Sequence, residues 1–147
     1  MAEPDARQVA VRMLARREHS AFEIRQKLRQ KGFAGEAIEA ALERLQAADW
    51  QSDERFTEAY IRSRRNRGYG PVRIALELKE RGIAEALYST HLHARDDTWV
   101  EALRDEYRRK YRGTVVADFE ERAKRMRFLQ YRGFTLEAIH KVMDELE

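Results

Sequence analysis

The sequence YIRSRRNRGYGPVRIALELKERG, at residues 60–82, decides the fold of this chain. Its first part has a helical pattern that ends in four arginines within six residues, and the segment GYGP at residues 68–71 interrupts that pattern. Glycine adopts backbone angles that other residues avoid, and proline suits the first position of a helix. A new helix is therefore expected to begin at Pro71 and to end before Gly82, a typical stop signal. The stretch predicts two helices joined by a tight turn, with several guanidinium groups at the bend.

The end of this stretch belongs to an internal repeat. A basic residue, a glycine and an apolar residue occur together at Gly32, Gly82 and Gly133, about 50 residues apart. Apolar side chains recur at equal distances from each glycine: Leu28, Leu78 and Leu129 before it, and Ile38, Tyr88 and Ile139 after it. Three copies of a unit of three helices explain this spacing. The predicted boundaries are residues 1–50, 51–95 and 96–147, in one continuous array of repeats.

The composition favours helices. Hydrophobic residues make up 43% of the 147 residues and charged residues 37%, and only two prolines and seven glycines interrupt the chain. Ala, Leu, Glu and Arg, which are good helix formers, are frequent. No alternating strand pattern of useful length occurs, since the pair Val115 and Val116 is too short. The predicted fold class is all-α, built from three tandem three-helix repeats.

Local signals predict several helix ends and buried faces. The sequence SAFE at residues 20–23 is a capping box, either Ser52 or Asp53 is a plausible cap for the next copy, and Thr135 is expected to cap the last helix. Trp50 is expected to fill the junction between the first two copies. In the first central helix the predicted inner side is formed by Phe56, Ala59, Tyr60 and Ser63. In the second, the apolar residues at helical spacing are Val72, Ile74, Ala75 and Leu76.

The charged residues follow the repeat. The net charge is only +3, but a pI near 9.3 permits a polyanion or an acidic protein as partner if the positive charge is concentrated on one face. The middle helix of every copy is basic, whereas the closing helix of the first and last copies is acidic. Stacked repeats would align like helices into strips. The predicted basic strip, a secondary binding surface, consists of Arg25, Lys27, Arg29, Lys31, Arg122, Lys124, Arg125 and Arg127.

The sequence lacks the motifs of several kinds of catalytic, metal-binding and nucleotide-binding site. The chain has no cysteine, which excludes disulfides, thiolate metal sites and thiol catalysis. Its four histidines form no metal-binding pattern, and no glycine motif for a dinucleotide or a nucleoside triphosphate is complete. Neither a signal peptide nor an apolar run of about 18 residues occurs. We expect a soluble cytoplasmic protein that is not an enzyme and has no cofactor or metal.

The remaining candidates are binding surfaces. The arginine-rich bend is either a solvated helix end or a docking site for an anionic partner. The predicted site consists of Arg62, Arg64, Arg65, Arg67, Tyr69 and Arg73. A second candidate is the set Tyr107, Tyr111 and Tyr131, which could stack on bases or anchor helices in the core. No short helix carries the mixture of side chains that reads base edges in duplex DNA.

Four segments resemble the RecX family, whose members modulate the RecA recombinase. They are RREHSAFEIRQKL at residues 16–28, DERFTEAYIRSR at 53–64, RGYGPVRI at 67–74 and RFLQYRGF at 127–134. The segments occur in the family's order and span nearly the whole chain, and the two middle segments are highly specific. The residues that occupy the family's central motif are Tyr60, Arg64, Arg67, Tyr69, Gly70, Pro71 and Arg73.

The resemblance implies an elongated, curved monomer, a right- or left-handed array of three three-helix repeats. It also implies that this monomer lies in the helical groove of the RecA filament on single-stranded DNA. There it would inhibit the ATPase and strand-exchange activities of RecA and promote filament disassembly in the SOS response. A direct DNA-binding module is the alternative function. Filament docking needs RecA, whereas plain DNA binding does not and depends steeply on salt.

Overall fold

The computed structural model describes residues 3–93 and 96–147, and these residues form nine helices and no strand. The first three helices are α1 (Ala6–Arg16), α2 (Ala21–Gln30) and α3 (Gly35–Ala47). The next three are α4 (Asp53–Asn66), α5 (Pro71–Glu80) and α6 (Glu85–His91). The last three are α7 (Asp97–Tyr111), α8 (Phe119–Tyr131) and α9 (Leu136–Leu146). The all-α prediction is confirmed. The predicted boundary at residue 95 lies outside the described residues.

The helix ends are fixed by the capping side chains that the sequence predicts. Ser20 and Glu23 form the predicted capping box at the start of α2. The hydroxyl of Ser52 accepts a hydrogen bond from the backbone N–H of Arg55 at 3.1 Å, so Ser52 rather than Asp53 caps α4. The hydroxyl of Thr135 caps α9. Each such cap stabilises its helix by about 1 kcal/mol, because a backbone N–H would otherwise lack a partner.

The described residues belong to two compact units. Unit 1 comprises the described residues up to Tyr60 and the segment Leu78–Tyr88, whereas unit 2 comprises Ile61–Glu77 and the described residues from Ser89 onward. In unit 1, α1 and α2 pack on α3 around a core that includes Ile24, Leu28, Ile38, Leu42 and Leu45. In unit 2, α7 and α8 pack on α9, and the buried side chains include Leu103, Leu129, Ile139, Val142 and Met143.

The end of α3 does not match the prediction for Trp50. Its side chain is 51% exposed and fills no junction. The backbone N–H groups of Trp50 and Gln51 both donate to the carbonyl of Leu45, which turns the chain so that Gln51 is buried instead. The Gln51 amide then donates to the backbone carbonyl of His19 at 3.2 Å. A polar residue occupies the place expected for the indole because its hydrogen bonds are satisfied there.

The buried faces of α4 and α5 also differ from those expected. On α4 the buried residues are Phe56, Thr57 and Ile61, and Ser63 is exposed. On α5 the fully buried side chains are Ile74 and Leu78, whereas Val72 and Leu76 are 47% and 59% exposed. The α5 sequence is apolar on two sides, so periodicity alone could not select the side that faces the core.

A turn contact is repeated within each unit. In unit 1 the hydroxyl of Ser20 donates to the carbonyl of Arg81 at 2.8 Å, and a side chain at Gly82 would overlap Phe22. In unit 2 two backbone N–H groups at the start of α5 donate to carbonyls of the turn after α8, at 2.8 and 2.9 Å. A side chain at Gly133 would overlap Arg73 there, whereas nothing lies within 4 Å of a Cβ at Gly32. The middle helix of one repeat therefore begins on the glycine turn of the following repeat.

Candidate functional site

The bend between α4 and α5 forms around Gly68. Gly68 has a φ of +88°, a conformation that favours glycine, as the sequence predicts. The backbone N–H of Tyr69 donates to the carbonyl of Arg64 at 3.1 Å, which folds the Tyr69 ring back toward the end of α4. Gly70, in contrast, has no positive φ. A side chain there would lie 2.6 Å from the carbonyl oxygen of Gly133, so close packing is what requires glycine.

Three guanidinium groups surround the ring of Tyr69. The central carbons of the guanidinium groups of Arg64, Arg132 and Arg73 lie 3.7, 4.4 and 4.7 Å from the ring centre. Each such cation–π contact contributes about 0.5–1 kcal/mol at an exposed site and more where water is excluded. These three arginines, Tyr69 and Tyr131 are called the arginine–tyrosine cluster below. All five residues belong to unit 2.

The carboxylate of Glu77 pairs with two arginines of the cluster. The Nε and Nη2 atoms of Arg64 donate to its two oxygens at 2.9 and 2.8 Å, a bidentate pair that fixes the plane of the guanidinium group. The Nε atom of Arg73 donates to the same carboxylate at 3.3 Å. Burial lowers the pKa of Arg73, but its hydrogen bonds with Glu77 and Tyr131 outweigh this and leave the pKa raised. Arg73 therefore stays charged at any physiological pH.

Tyr131 enters the cluster because the bend packs on the turn after α8. The backbone N–H of Gly70 donates to the carbonyl of Arg132 at 2.8 Å, and Nη1 of Arg73 donates to the carbonyl of Tyr131 at 3.4 Å. The guanidinium group of Arg73 also lies over the Tyr131 ring, 4.9 Å from its centre. Tyr131 is nevertheless 72% exposed. The cluster thus extends from a half-buried ring, Tyr69, to a ring that faces solvent.

A buried carboxylate supports the same bend. Glu106 of α7 is only 4% exposed and accepts two hydrogen bonds from Arg109, at 2.7 and 3.1 Å. Arg132 lies 3.5 Å from the same carboxylate. A side chain at Gly68 would overlap Glu106. A buried carboxylate needs such partners because burial makes an unpaired charge very costly. Glu106 could not be identified from the sequence, where its only sign is its position one residue before the buried Tyr107.

The structure separates the six residues of the predicted site into three groups. Arg64, Tyr69 and Arg73 form part of the cluster described above. Arg65 lies over the ring of Trp99 at 4.9 Å, within unit 2. Arg62 and Arg67 are exposed and have no ion pair among residues 3–93 and 96–147. Arg62 and Arg67 are therefore the residues of this set most accessible to a partner, and their role in binding stays a prediction.

The basic strip is incomplete because Arg125 is not a surface residue. Arg125 is 2% exposed and donates to the Tyr107 hydroxyl at 2.8 Å, the Thr114 carbonyl at 3.0 Å and Glu121 at 2.7 Å. Burial lowers the pKa of Arg125, but the hydrogen bonds with Glu121 and Tyr107 raise it overall. The prediction of Arg125 as part of an exposed strip was wrong. Arg125 shares the inward side of α8 with Leu129, one turn later.

Ion pairs occupy two other residues of the strip. Arg25 donates to both oxygens of Glu39, at 2.8 and 3.0 Å, and Arg122 pairs with Asp144 at 2.9 Å and with Glu147. The predicted acidic closing helices thus neutralise part of the basic middle helices. The strip residues that are exposed and unpaired within the described chain are Lys27, Arg29, Lys31, Lys124 and Arg127.

The three tyrosines considered for base stacking have different environments. Tyr107 is 6% exposed and belongs to the core. Tyr111 is half-buried between rings and cations, and burial raises its pKa. Tyr131 faces solvent, as described above. No helix within the described ranges is long and apolar enough to cross a membrane.

Comparison with known protein families matches each predicted repeat separately. Residues 6–45, 52–92 and 96–143 match models described as the first, second and third three-helix domains of RecX. The chain belongs to the RecX family. Its resemblance to that family, inferred from four sequence segments, is therefore confirmed. The matched ranges also agree with three repeats of three helices each, in the order in which the family has them.

Relatives with the name regulatory protein RecX cover most of the chain. The proteins of this name from Pseudomonas fluorescens and Legionella pneumophila are 42% identical over 137 and 138 residues. These alignments cover 93% and 94% of this chain, and 88% and 92% of the relatives. Membership of this family, at 42% identity to proteins with this name, assigns the chain a regulatory role.

Solved structures of RecX support the fold. The crystal structure of RecX from Lactobacillus salivarius has a TM-score of 0.77 and 23% identity, and the match covers 96% of this chain and 94% of that one. A second crystal structure, of regulatory protein RecX, has a TM-score of 0.76 and 21% identity. That match covers 95% of this chain and 71% of the other. At these identities the likeness establishes the shared fold.

Proposed function

We propose that this regulatory protein acts on the RecA recombinase. It binds the RecA filament on single-stranded DNA in the filament's groove and lowers the ATPase and strand-exchange activities of RecA. The observation that carries the proposal is 42% identity to proteins named regulatory protein RecX over 93% of the chain. We also propose that the protein is a monomer, that it is cytoplasmic and that it is not itself an enzyme.

The charges of the bend support an anionic partner. The arginine–tyrosine cluster brings three guanidinium groups together, of which Arg64 and Arg73 pair with Glu77 and Arg132 lies near Glu106. Arg62 and Arg67 add two exposed cations close by in the sequence. A partner that presents carboxylates or phosphates would form charge-assisted hydrogen bonds with them. Acidic surfaces of a protein filament and exposed DNA phosphates both fit this requirement.

The direct test measures RecA activity on single-stranded DNA. Added protein is expected to sediment with the RecA filament and to lower ATP hydrolysis by DNA-bound RecA, while the protein alone hydrolyses no ATP. The proposal is refuted if the folded protein neither sediments with the filament nor changes ATP hydrolysis at protein concentrations comparable to those of RecA.

The double variant Arg62→Ala/Arg67→Ala tests the predicted contact surface. Each lost charge-assisted contact is expected to weaken filament binding by about 1–3 kcal/mol. A matched control is Arg7→Ala/Arg44→Ala, which removes two exposed arginines that are also unpaired within the described chain. If both variants inhibit RecA equally well, the contact lies elsewhere, and the five exposed strip residues are the next candidates.

Direct DNA binding is a second candidate function. Lys124 and Arg127 favour it, because both are exposed on α8 and neither has an ion pair among the described residues. DNA binding of this kind needs no RecA and weakens steeply with salt. Sedimentation with bare single-stranded and duplex DNA at physiological salt distinguishes the two candidates.

A further inference from the structure

Cations and aromatic rings alternate across the arginine–tyrosine cluster. The series runs from Arg64 to Tyr69, then to Arg73, and ends at Tyr131, with separations of 3.7, 4.7 and 4.9 Å between each guanidinium carbon and the neighbouring ring centre. Every member except the last is at least half-buried. Tyr131 is 72% exposed although one of its faces already carries Arg73. The series therefore ends in an aromatic ring that can accept one further flat group.

Two hydrogen bonds fix the backbone at Tyr131 and at the residue after it. Its backbone carbonyl accepts a hydrogen bond from Arg73, and Arg73 is itself held by Glu77 at 3.3 Å. The following residue, Arg132, is bonded through its carbonyl to Gly70 at 2.8 Å. Because its backbone is fixed and one face of the ring already packs on Arg73, Tyr131 has less conformational freedom to lose when a ligand stacks on the other face.

Cations of α8 lie on the same side of the helix as this ring. Arg127 and Lys124 precede Tyr131 by four and seven residues, and these spacings bring side chains to one helix face. Both cations are exposed and have no ion pair within the described ranges. Glu120, one turn before Lys124, belongs to the same face, so Arg127 is expected to carry more of the unbalanced charge.

We propose that this face of α8 is a binding site for single-stranded nucleic acid, in which a base stacks on Tyr131 and backbone phosphates contact Arg127 and Lys124. An open ring beside unbalanced cations is the combination that binds single strands, because every base has a flat face and every nucleotide a phosphate. A duplex presents no unstacked base to the ring. A protein partner can also pack on an exposed tyrosine beside cations, and it is an outcome that the test distinguishes.

The inference deepens the proposed function by assigning a residue that touches the DNA strand of the filament, but its test needs no RecA. Binding of a fluorescently labelled oligo-dT strand is measured by anisotropy for the wild type and three variants of Tyr131. Stacking of one base predicts that Tyr131→Ala weakens binding by about 5- to 150-fold. Tyr131→Phe is expected to bind like the wild type, whereas Tyr131→Leu behaves like alanine.

Salt dependence separates the stacking residue from the phosphate contacts. Loss of both phosphate contacts in Lys124→Ala/Arg127→Ala is expected to reduce the slope of log affinity against log salt by about 1.4, since each single-strand phosphate contributes about 0.7. Tyr131→Ala should weaken binding and leave the slope unchanged. Circular dichroism is the folding control for every variant.

Three results obtained with the Tyr131 variants, and one obtained with the wild type, overturn the inference. The first is wild-type affinity in Tyr131→Ala, and the second is equal loss of affinity in Tyr131→Phe and Tyr131→Ala. The third is a combination of two observations: the wild type binds no single-stranded DNA by itself, and Tyr131→Ala loses RecA inhibition. This combination would make the face of α8 a contact with protein. If RecA inhibition is intact but the wild type does not bind the strand, the inference fails and the proposed function stands.

Discussion

The repeat glycines provide a graded test of how the repeats pack. Gly32, Gly82 and Gly133 have φ values of +89°, +77° and +104°, so alanine is strained at all three positions. That strain costs about 1–2 kcal/mol per residue. The surroundings differ, however, because a Cβ at Gly32 meets nothing within 4 Å, whereas at Gly82 and Gly133 it overlaps a neighbouring residue.

The cost of Gly133→Ala follows from the contacts that it disrupts. The new Cβ would lie 2.7 Å from the backbone nitrogen of Arg73 and 3.0 Å from the carbonyl oxygen of Gly70, so backbone must move. This movement breaks the hydrogen bonds from Gly70 to Arg132 and from Val72 to Gly133, at 2.8 and 2.9 Å. Each contributes about 1 kcal/mol, which added to the strain of about 1–2 kcal/mol gives about 3–4 kcal/mol for the variant.

Urea unfolding followed by circular dichroism measures these costs. Gly32→Ala is the matched control, with an expected cost of about 1–2 kcal/mol from strain alone. Gly82→Ala should also cost more than Gly32→Ala, because the new Cβ overlaps the Cβ of Phe22, and rotation of the Phe22 side chain cannot move that atom away. The reasoning is refuted if Gly133→Ala destabilises the protein no more than Gly32→Ala, since the turn contact would then contribute nothing.

Three further predictions concern titratable and charged residues. Burial, with Arg17 nearby, lowers the pKa of His19 below its ordinary value of 6.5, so the unfolded chain binds the proton more readily. The free energy of unfolding should therefore fall as the pH drops from 6.5 through the lowered pKa. The fall should be smaller in His19→Gln. Urea unfolding at several pH values measures both. Arg125→Ala should destabilise the protein by about 3 kcal/mol, about 1 kcal/mol for each of the three hydrogen bonds that it removes. Its control, Lys124→Ala at an exposed position, should change stability by about 0.5 kcal/mol or less in the same assay. Glu77→Gln should lower the thermal midpoint and weaken filament binding, because Arg64 and Arg73 lose the carboxylate that orients them; unchanged binding would assign these arginines a purely structural role.

Much of this protein could be predicted from its sequence because the signals are local. A helix is specified by its own caps and by the 3.6-residue period, so Ser20, Thr135 and Pro71 mark helix ends without knowledge of the rest of the chain. The recurrence of Gly32, Gly82 and Gly133 identified the repeat, since each glycine ends a middle helix with a positive φ. The family resemblance rests on the same kind of contiguous segments.

Contacts between distant residues were decided only by the tertiary structure. Tyr69 and Tyr131 meet the same arginine although 62 positions separate them, and no helical period relates their two turns. For the same reason the sequence could not distinguish the buried Arg125 from the exposed Arg127, or the buried Tyr107 from the exposed Tyr131. Residue type sets the free-energy cost of burying a side chain. Hydrogen-bond and ion-pair partners can offset that cost, and only the packing of the helices brings those partners into place.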